Sequence, residues 1–320
     1  MQKYESKLLQ WESIASIRSR PRRIVKEIND ECKNYLPISK QPACAHPLVE
    51  KRGDEVKQYL LTQSLYKYMN DIANIETEMI NDVAHKVYKN RYKIKFPFDI
   101  RLDALSIYID ECYHAFVACD YMNQVEEVTG IKQTALPEEM MLSKAIKLSF
   151  PKIPEEHREI FKLFCICLAE HVLTTDLITV GKAKGVHKSF FYIMHDHALD
   201  EKRHSKIFSF IFKETWQSLS EEEKNYIGPT LISFSNLYLD DEIEKNFLKQ
   251  ILKEKDFSER EITSIIEDTF VETSNESNII VSQLYQLLDK ADVLDHMATK
   301  EAFENTFPDY KIDGGSHEGA

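Results

Sequence analysis

Apolar residues recur along most of this chain at the three- and four-residue spacing of a helix face, and no convincing strand pattern interrupts them. Residues 7–17 read as a short amphipathic helix and residues 24–35 as a second. The basic run between them, Arg18-Ser19-Arg20-Pro21-Arg22-Arg23, reads as a solvated helix start with Pro21 near the first turn. Residues 36–53 hold three prolines and one glycine and are expected to form a loop. Four long helices are then predicted at about 54–87, 100–129, 155–180 and 188–216. The connectors are a basic, aromatic stretch at 88–99, residues 130–154 with a short helix near 138–148, and residues 181–185. Residues 219–305 read as further helices, two of them announced by Ser220-Glu221-Glu222-Glu223 and Ser258-Glu259-Arg260-Glu261, which have capping-box character. The tail, 311–320, is polar and glycine-bearing and is expected to be disordered.

Composition agrees with an all-α fold. Only 8 glycines and 10 prolines occur in 320 residues, so turns are few and segments long. The length suits one large domain spanning 1–310, with a core bundle at about 54–216 and C-terminal helices at about 219–305. A formal net charge of −12 disfavours nucleic acid and anionic membrane surfaces as partners. No apolar run approaches the roughly 18–20 residues of a spanning helix, and charged residues near the start argue against a signal peptide. A cytoplasmic location is therefore the expectation. The six cysteines (Cys32, Cys44, Cys112, Cys119, Cys165, Cys167) lack C-x-x-C spacing and are expected to be reduced, buried core residues.

The chemistry lies in a doubled Asp-Glu-x-x-His, at Asp110-Glu111-Cys112-Tyr113-His114 and Asp200-Glu201-Lys202-Arg203-His204. Glu and His three apart on a helix lie on one side, about 60° apart around the axis. Each copy follows a helix with a candidate lone glutamate. Glu76 precedes Glu111 by 35 residues and Glu170 precedes Glu201 by 31, so a hairpin of two long helices brings each pair to the same level. Two such hairpins face four carboxylates and two imidazoles into a bundle centre, a cage for two metal ions.

Each candidate has a plainer reading beside it. Glu111 and His114 sit among apolar neighbours, where an unpartnered charge is costly, but could instead mark a solvated stripe. On the second helix His197, Glu201 and His204 fall at about 0°, 40° and −20°, within one sector, while His195 falls near 160° and faces away. Lys202, Arg203 and Lys206 read as a cationic outer stripe. Glu170 follows the apolar run 161–169 and needs a partner; the alternative, His171, points about 100° away. Glu76 competes with Glu78, and the hairpin interval selects Glu76. Asp110 and Asp200 either accept the far N–H of a ligating histidine, crosswise as Asp110 with His204 and Asp200 with His114, or merely solvate the helix surface.

At these residues the chain resembles the p-aminobenzoate N-oxygenase family of ferritin-like di-iron proteins, over roughly residues 5–300. That family's pattern is a lone Glu, Glu-x-x-His, a lone Glu, then His-x-x-x-Glu-x-x-His. Here it is filled by Glu76, Glu111, His114, Glu170, His197, Glu201 and His204. The doubled motif is specific to the broad di-iron class, and His197 narrows it to N-oxygenases. The resemblance implies a ferritin-like four-helix bundle with additional terminal helices, two iron ions as cofactor, O2 as co-substrate and a small-molecule amine oxidised to a hydroxylamine, nitroso or nitro product, as in natural-product biosynthesis. Manganese, or a mixed manganese–iron pair, suits the same ligands. The chain carries no nucleotide-binding glycine fingerprint, so an external electron donor, a reductase or ferredoxin, is expected. A homodimer fits a helical bundle with extra helices. Tyr108, Phe116, Leu173 and Met194 are candidates for the pocket wall. The competing readings are a di-iron hydroxylase or desaturase acting on C–H bonds, a ferritin-like iron-storage or metal-sensing protein, and a metal-free helical interaction protein.

Overall fold

The computed structural model describes residues 4–270, 274–308 and 310, apart from the side chains of residues 176 and 274–278. The expected disordered tail lies outside the described residues. All regular structure among the described residues is helical. Helix α1 spans Leu8–Ile14. Helix α2, Asp54–Asn74, continues through a π-helical segment, Ile75–Ile80, into α3, Asn81–Tyr88. Helices α4 (Phe98–Thr129), α5 (Met141–Ser149), α6 (Arg158–Val180) and α7 (Lys188–Gln217) follow. The C-terminal part comprises α8 (Glu221–Tyr238), α9 (Glu242–Lys253), α10 (Glu259–Phe270), α11 (Ser274–Lys290) and α12 (Met297–Thr306).

The four long helices form two hairpins: α2–α3 packs along α4, α6 packs along α7, and α4 meets α7 across the centre. This is a ferritin-like helical bundle. Its centre is filled by side chains such as Phe161, Phe164, Phe208 and Phe212, all shielded from solvent. Outside it, α8 packs on α5 and α12, and α11 packs on α6. The crossing of α8 and α12 depends on Gly228, where a Cβ would collide with Thr299 Oγ1. Both expected capping boxes form. Ser220 Oγ accepts from Glu223 N while the Glu223 carboxylate accepts from Ser220 N, and Ser258 and Glu261 pair in the same way.

Five sequence expectations need correction. The first helix stops at Ile14, because Ala15 is extended (φ −54°, ψ 136°), and one further turn covers Ser16–Ser19. Residues 24–35 are not a helix beyond the 3-10 turn Val25–Glu27. Distant groups take their backbone partners instead. Gln124 accepts from Val25 N and donates to Arg23 O, Asp30 accepts from Cys32 N and Lys188 N, and His187 N donates to Asn34 O. The basic run is a strap and no helix start: Arg22 pairs with Asp120, and Arg20 and Arg23 pair with Asp196. Cys112 and Cys119 are exposed, on a stripe of α4 that also carries exposed Phe116. Finally, the helical stretch Glu155–Val180 is long and apolar enough to cross a membrane by length and composition, and 71% of its most apolar window is buried inside the protein. It is the core helix of the second hairpin, and its apolar surface is covered by its neighbours.

Candidate metal centre

The π-helical segment carries Glu76 inward at 5% exposure and leaves Glu78 exposed. One extra residue per turn re-aims a side chain locally, which is why such segments recur at functional sites. Across from it, α4 buries Asp110, Glu111 and His114 on one face. Helix α6 buries Glu170, and α7 buries His197, Asp200, Glu201 and His204. His195 is exposed beside Asp196.

The seven candidate ligands converge in two adjoining groups: Glu76, His114, His197 and Glu201 in one, Glu111, Glu170, Glu201 and His204 in the other. Glu201 belongs to both. In the first group, His197 Nε2 lies 2.9 Å from Glu76 Oε1 and 3.2 Å from Glu201 Oε1, and His114 Nδ1 lies 3.4 Å from Glu201 Oε1. In the second, His204 Nδ1 lies 2.9 Å from Glu111 Oε1, 3.2 Å from Glu201 Oε1 and 3.7 Å from Glu170 Oε1. Glu111 also reaches the first group, with Oε2 3.4 Å from His114 Nδ1. The His114 and His197 rings stand 4.0 Å apart between centroids.

These atoms fit cations better than they fit one another. Glu76 Oε2, Glu111 Oε1, Glu170 Oε1 and His204 Nδ1 are buried without any hydrogen-bond partner. Glu111 Oε1 and His204 Nδ1 are close yet make no hydrogen bond, as expected of two donors of electron pairs aimed at a third atom. Buried acceptors of this kind are costly unless something positive sits between them. Burial pushes the Glu76 carboxyl up to about 7 and the Glu170 carboxyl well above its ordinary range, the latter helped by the nearby Glu201 and Glu111 charges. A pair of divalent cations removes that conflict. Mixed carboxylate and imidazole donors suit iron and manganese.

Behind the site, the histidines are held crosswise. Asp200 Oδ2 lies 3.1 Å from His114 Nε2, and Asp110 Oδ2 lies 3.1 Å from His204 Nε2. Each ring thereby turns Nδ1 toward the cage, its tautomer fixed by the carboxylate at Nε2. Burial works against the Asp200 charge, but hydrogen bonding to His114 and Ser16 N holds its carboxyl well below the usual range. Arg203 was expected on an outer cationic stripe. It is buried, donating to both Asp110 and Asp200, whereas Lys202 and Lys206 are exposed as expected. Its position three residues after Asp200 is the signal that placed it on the same face. Trp11 Nε1 donates to Asp110 Oδ1 at 2.9 Å, so α1 reaches the same network, and nothing local in the sequence announces that contact.

Two cavities approach the cage. A small one of about 40 Å³ lies on the side of His114 and His197, bounded by the arginine strap, Phe116 and Met194. A large one of about 520 Å³ opens on the other side, where Glu76, Glu170 and Glu201 form part of its wall and Leu173 part of its apolar lining. Tyr108 borders neither; its ring packs 5.9 Å from that of His85.

The family profile described as p-aminobenzoate N-oxygenase AurF matches residues 24–276. The chain belongs to the AurF family. The matched span includes all seven converging residues and the two aspartates behind them. A comparison with curated proteins gives no significant match.

Proposed function

We propose that this AurF-family protein is a di-iron N-oxygenase that oxidises the nitrogen of a small-molecule amine at the expense of O2. The observation that carries the reading is His197. It adds a third imidazole to a cage that four glutamates and two histidines would already complete, and it lies within 2.9 Å of Glu76 and 3.2 Å of Glu201. A nitrogen-rich pair of sites with fewer open positions favours oxygen transfer to an electron pair over attack on a C–H bond.

His114, His197, Glu76 and Glu201 would hold one ion, and His204, Glu111, Glu170 and Glu201 the other. When bound, the two irons supply the electrons that activate O2. The chain's own groups do the rest. Asp110 and Asp200 keep the Nε2 protons of His204 and His114, so Nδ1 stays available. Glu76, Glu170 and Glu201 present the cage to the large cavity, where an amine nitrogen can approach. Ile72, Ile75 and Leu173 line that approach and keep it poor in water. Reducing electrons come from an external reductase or ferredoxin, since the sequence carries no cofactor fingerprint of its own.

The test is anaerobic loading with ferrous iron, followed by isotopically labelled O2, a chemical reductant and a panel of amines. The expected results are metal content near two ions per chain and label on nitrogen in a hydroxylamine, nitroso or nitro product. Label found only on carbon would replace this reading with a C–H hydroxylase. Ferric mineral without organic product would replace it with iron storage.

A further inference from the structure

Helix α1 buries none of its own residues and is held onto the bundle by three buried aspartates. Asp103 accepts from Tyr4 Oη, Ser6 Oγ and Lys7 N before the helix starts. Asp110 accepts from Trp11 Nε1 at its middle, and Asp200 from Ser16 N just past its end. Trp11 precedes residues 24–276, so its contact lies outside the span that the family profile matches.

That contact completes a connected route. Trp11 Nε1 lies 2.9 Å from Asp110 Oδ1, Asp110 Oδ2 lies 3.1 Å from His204 Nε2, and His204 turns Nδ1 into the cage. Two hydrogen bonds therefore join a half-buried indole to a metal-binding imidazole, and electrons tunnel through bonded paths more readily than across gaps. The matching route through His114 and Asp200 ends on the backbone N–H of Ser16, with no ring to extend it. Around Trp11 the surface is apolar and basic. Leu9 and Ile14 are exposed, and the exposed Arg18 guanidinium lies 5.2 Å from the centre of the indole ring. This is a cationic, apolar spot on a chain of net charge −12, suited to an acidic partner that must come close to the ring. Among the described residues, none of α1 lines the large cavity, so electrons arriving here leave that cavity to the amine.

We infer that Trp11 is the entry point for electrons, a positioning residue that couples a docked acidic one-electron carrier of the ferredoxin type to the metal held by His204. This rests on the di-iron reading of the cage. The step moves electrons only. Each reduced carrier gives up one electron and one ferric ion becomes ferrous. No bond forms or breaks, and the indole keeps its proton on Asp110. A second transfer primes the other ion.

The test is anaerobic and uses no amine. Iron-loaded protein, oxidised to the ferric state, is mixed with reduced plant-type ferredoxin or with dithionite, which is small enough to enter the large cavity. Bleaching of the ferric absorption gives the rates. Trp11→Phe should lower the limiting rate with ferredoxin about tenfold, with iron content and the dithionite rate unchanged. Arg18→Glu should raise the half-saturating ferredoxin concentration about fivefold and leave the limiting rate intact. In zinc-loaded protein, which does no redox chemistry, oxidised ferredoxin should quench the emission of Trp11, leaving that of buried Trp216, and should need higher concentrations in Arg18→Glu. Asp103 and Asp200 still anchor α1 in Trp11→Phe, and circular dichroism checks the fold of both variants. An unchanged ferredoxin rate in Trp11→Phe, an equal fall with both reductants, or no quenching of Trp11 overturns the inference. Dithionite-driven N-oxygenation in a protein whose ferredoxin reduction bypasses Trp11 would sink this inference while sparing the proposed function. Reduction through Trp11 in a protein that oxidises no amine would do the reverse.

Discussion

At the scale of single residues, the site depends as much on what stands behind the ligands as on the ligands. Asp200 accepts from His114, from Ser16 N and from Arg203, all within 3.3 Å. Replacing it with asparagine keeps the shape but removes the charge that makes His114 a good donor. Metal retained after dialysis against a chelator should show affinity lowered about 10–100-fold, with helix content unchanged by circular dichroism. Wild-type retention in Asp200→Asn would argue that the carboxylate merely fills space. Arg203 is the counterpart test. It separates two buried carboxylates, so Arg203→Met should leave Asp110 and Asp200 as uncompensated neighbours and lower unfolding free energy by about 3–5 kcal/mol, read by denaturant titration. The two aspartates could be read from sequence because each directly precedes a candidate ligand. Arg203 was misplaced because a basic residue between two lysines looks like surface, and only its interval from Asp200 says otherwise.

At the scale of elements, local signals were read well and long-range ones were not. The capping boxes at Ser220 and Ser258 depend on residues three apart, and both are where their sequences place them. Residues 24–35 failed as a helix because their backbone partners, Gln124 and His187, come from α4 and from the N-cap of α7. The π segment is the more consequential miss. Periodicity over residues 54–87 reports one helix and cannot reveal one that briefly takes five residues per hydrogen-bonded step. Yet that step separates buried Glu76 from exposed Thr77 and Glu78. Deleting Thr77 should restore a regular helix and turn Glu76 out of line with His197. The chain should still fold, because α4, α6 and α7 are untouched. Metal content should fall from about two ions per chain to about one, because the group around Glu111, Glu170 and His204 does not use Glu76. Retention of both ions after the deletion would show that the segment has no bearing on the cage.

At the scale of the whole molecule, the two hairpins must stay in register for the halves of the cage to meet, and the chain fastens them away from the site. Asp82 of α3 accepts from Lys162 of α6 at 2.8 Å and from Lys86 one turn along its own helix at 2.7 Å. Burial raises the Asp82 carboxyl, but these two ammoniums outweigh it and hold its pKa below the ordinary value. A carboxylate with a depressed folded pKa contributes stability that is fully present above the unfolded pKa and is lost as pH falls through the folded one. Asp82→Asn should therefore cost about 1 kcal/mol at neutral pH, since the pair is only partly shielded from solvent. The difference from wild type should shrink as acid protonates Asp82 and vanish below its folded pKa. Urea unfolding at both ends of that range is the measurement; an equal deficit at neutral and acid pH would mean that the aspartate acts through packing. The large cavity belongs to this scale too. Its walls include Tyr238 and Leu239 at the end of α8 and Ile279 and Ile280 of α11, so helices that a sequence reading sets outside the core bundle close the space beside it. Spacing along one helix could nominate the ligands, but a cavity shared by seven separate segments of the chain has no such signature. If Lys162 and Asp82 hold the hairpins in register, the neutral-pH deficit of Asp82→Asn should come with faster loss of metal to a chelator.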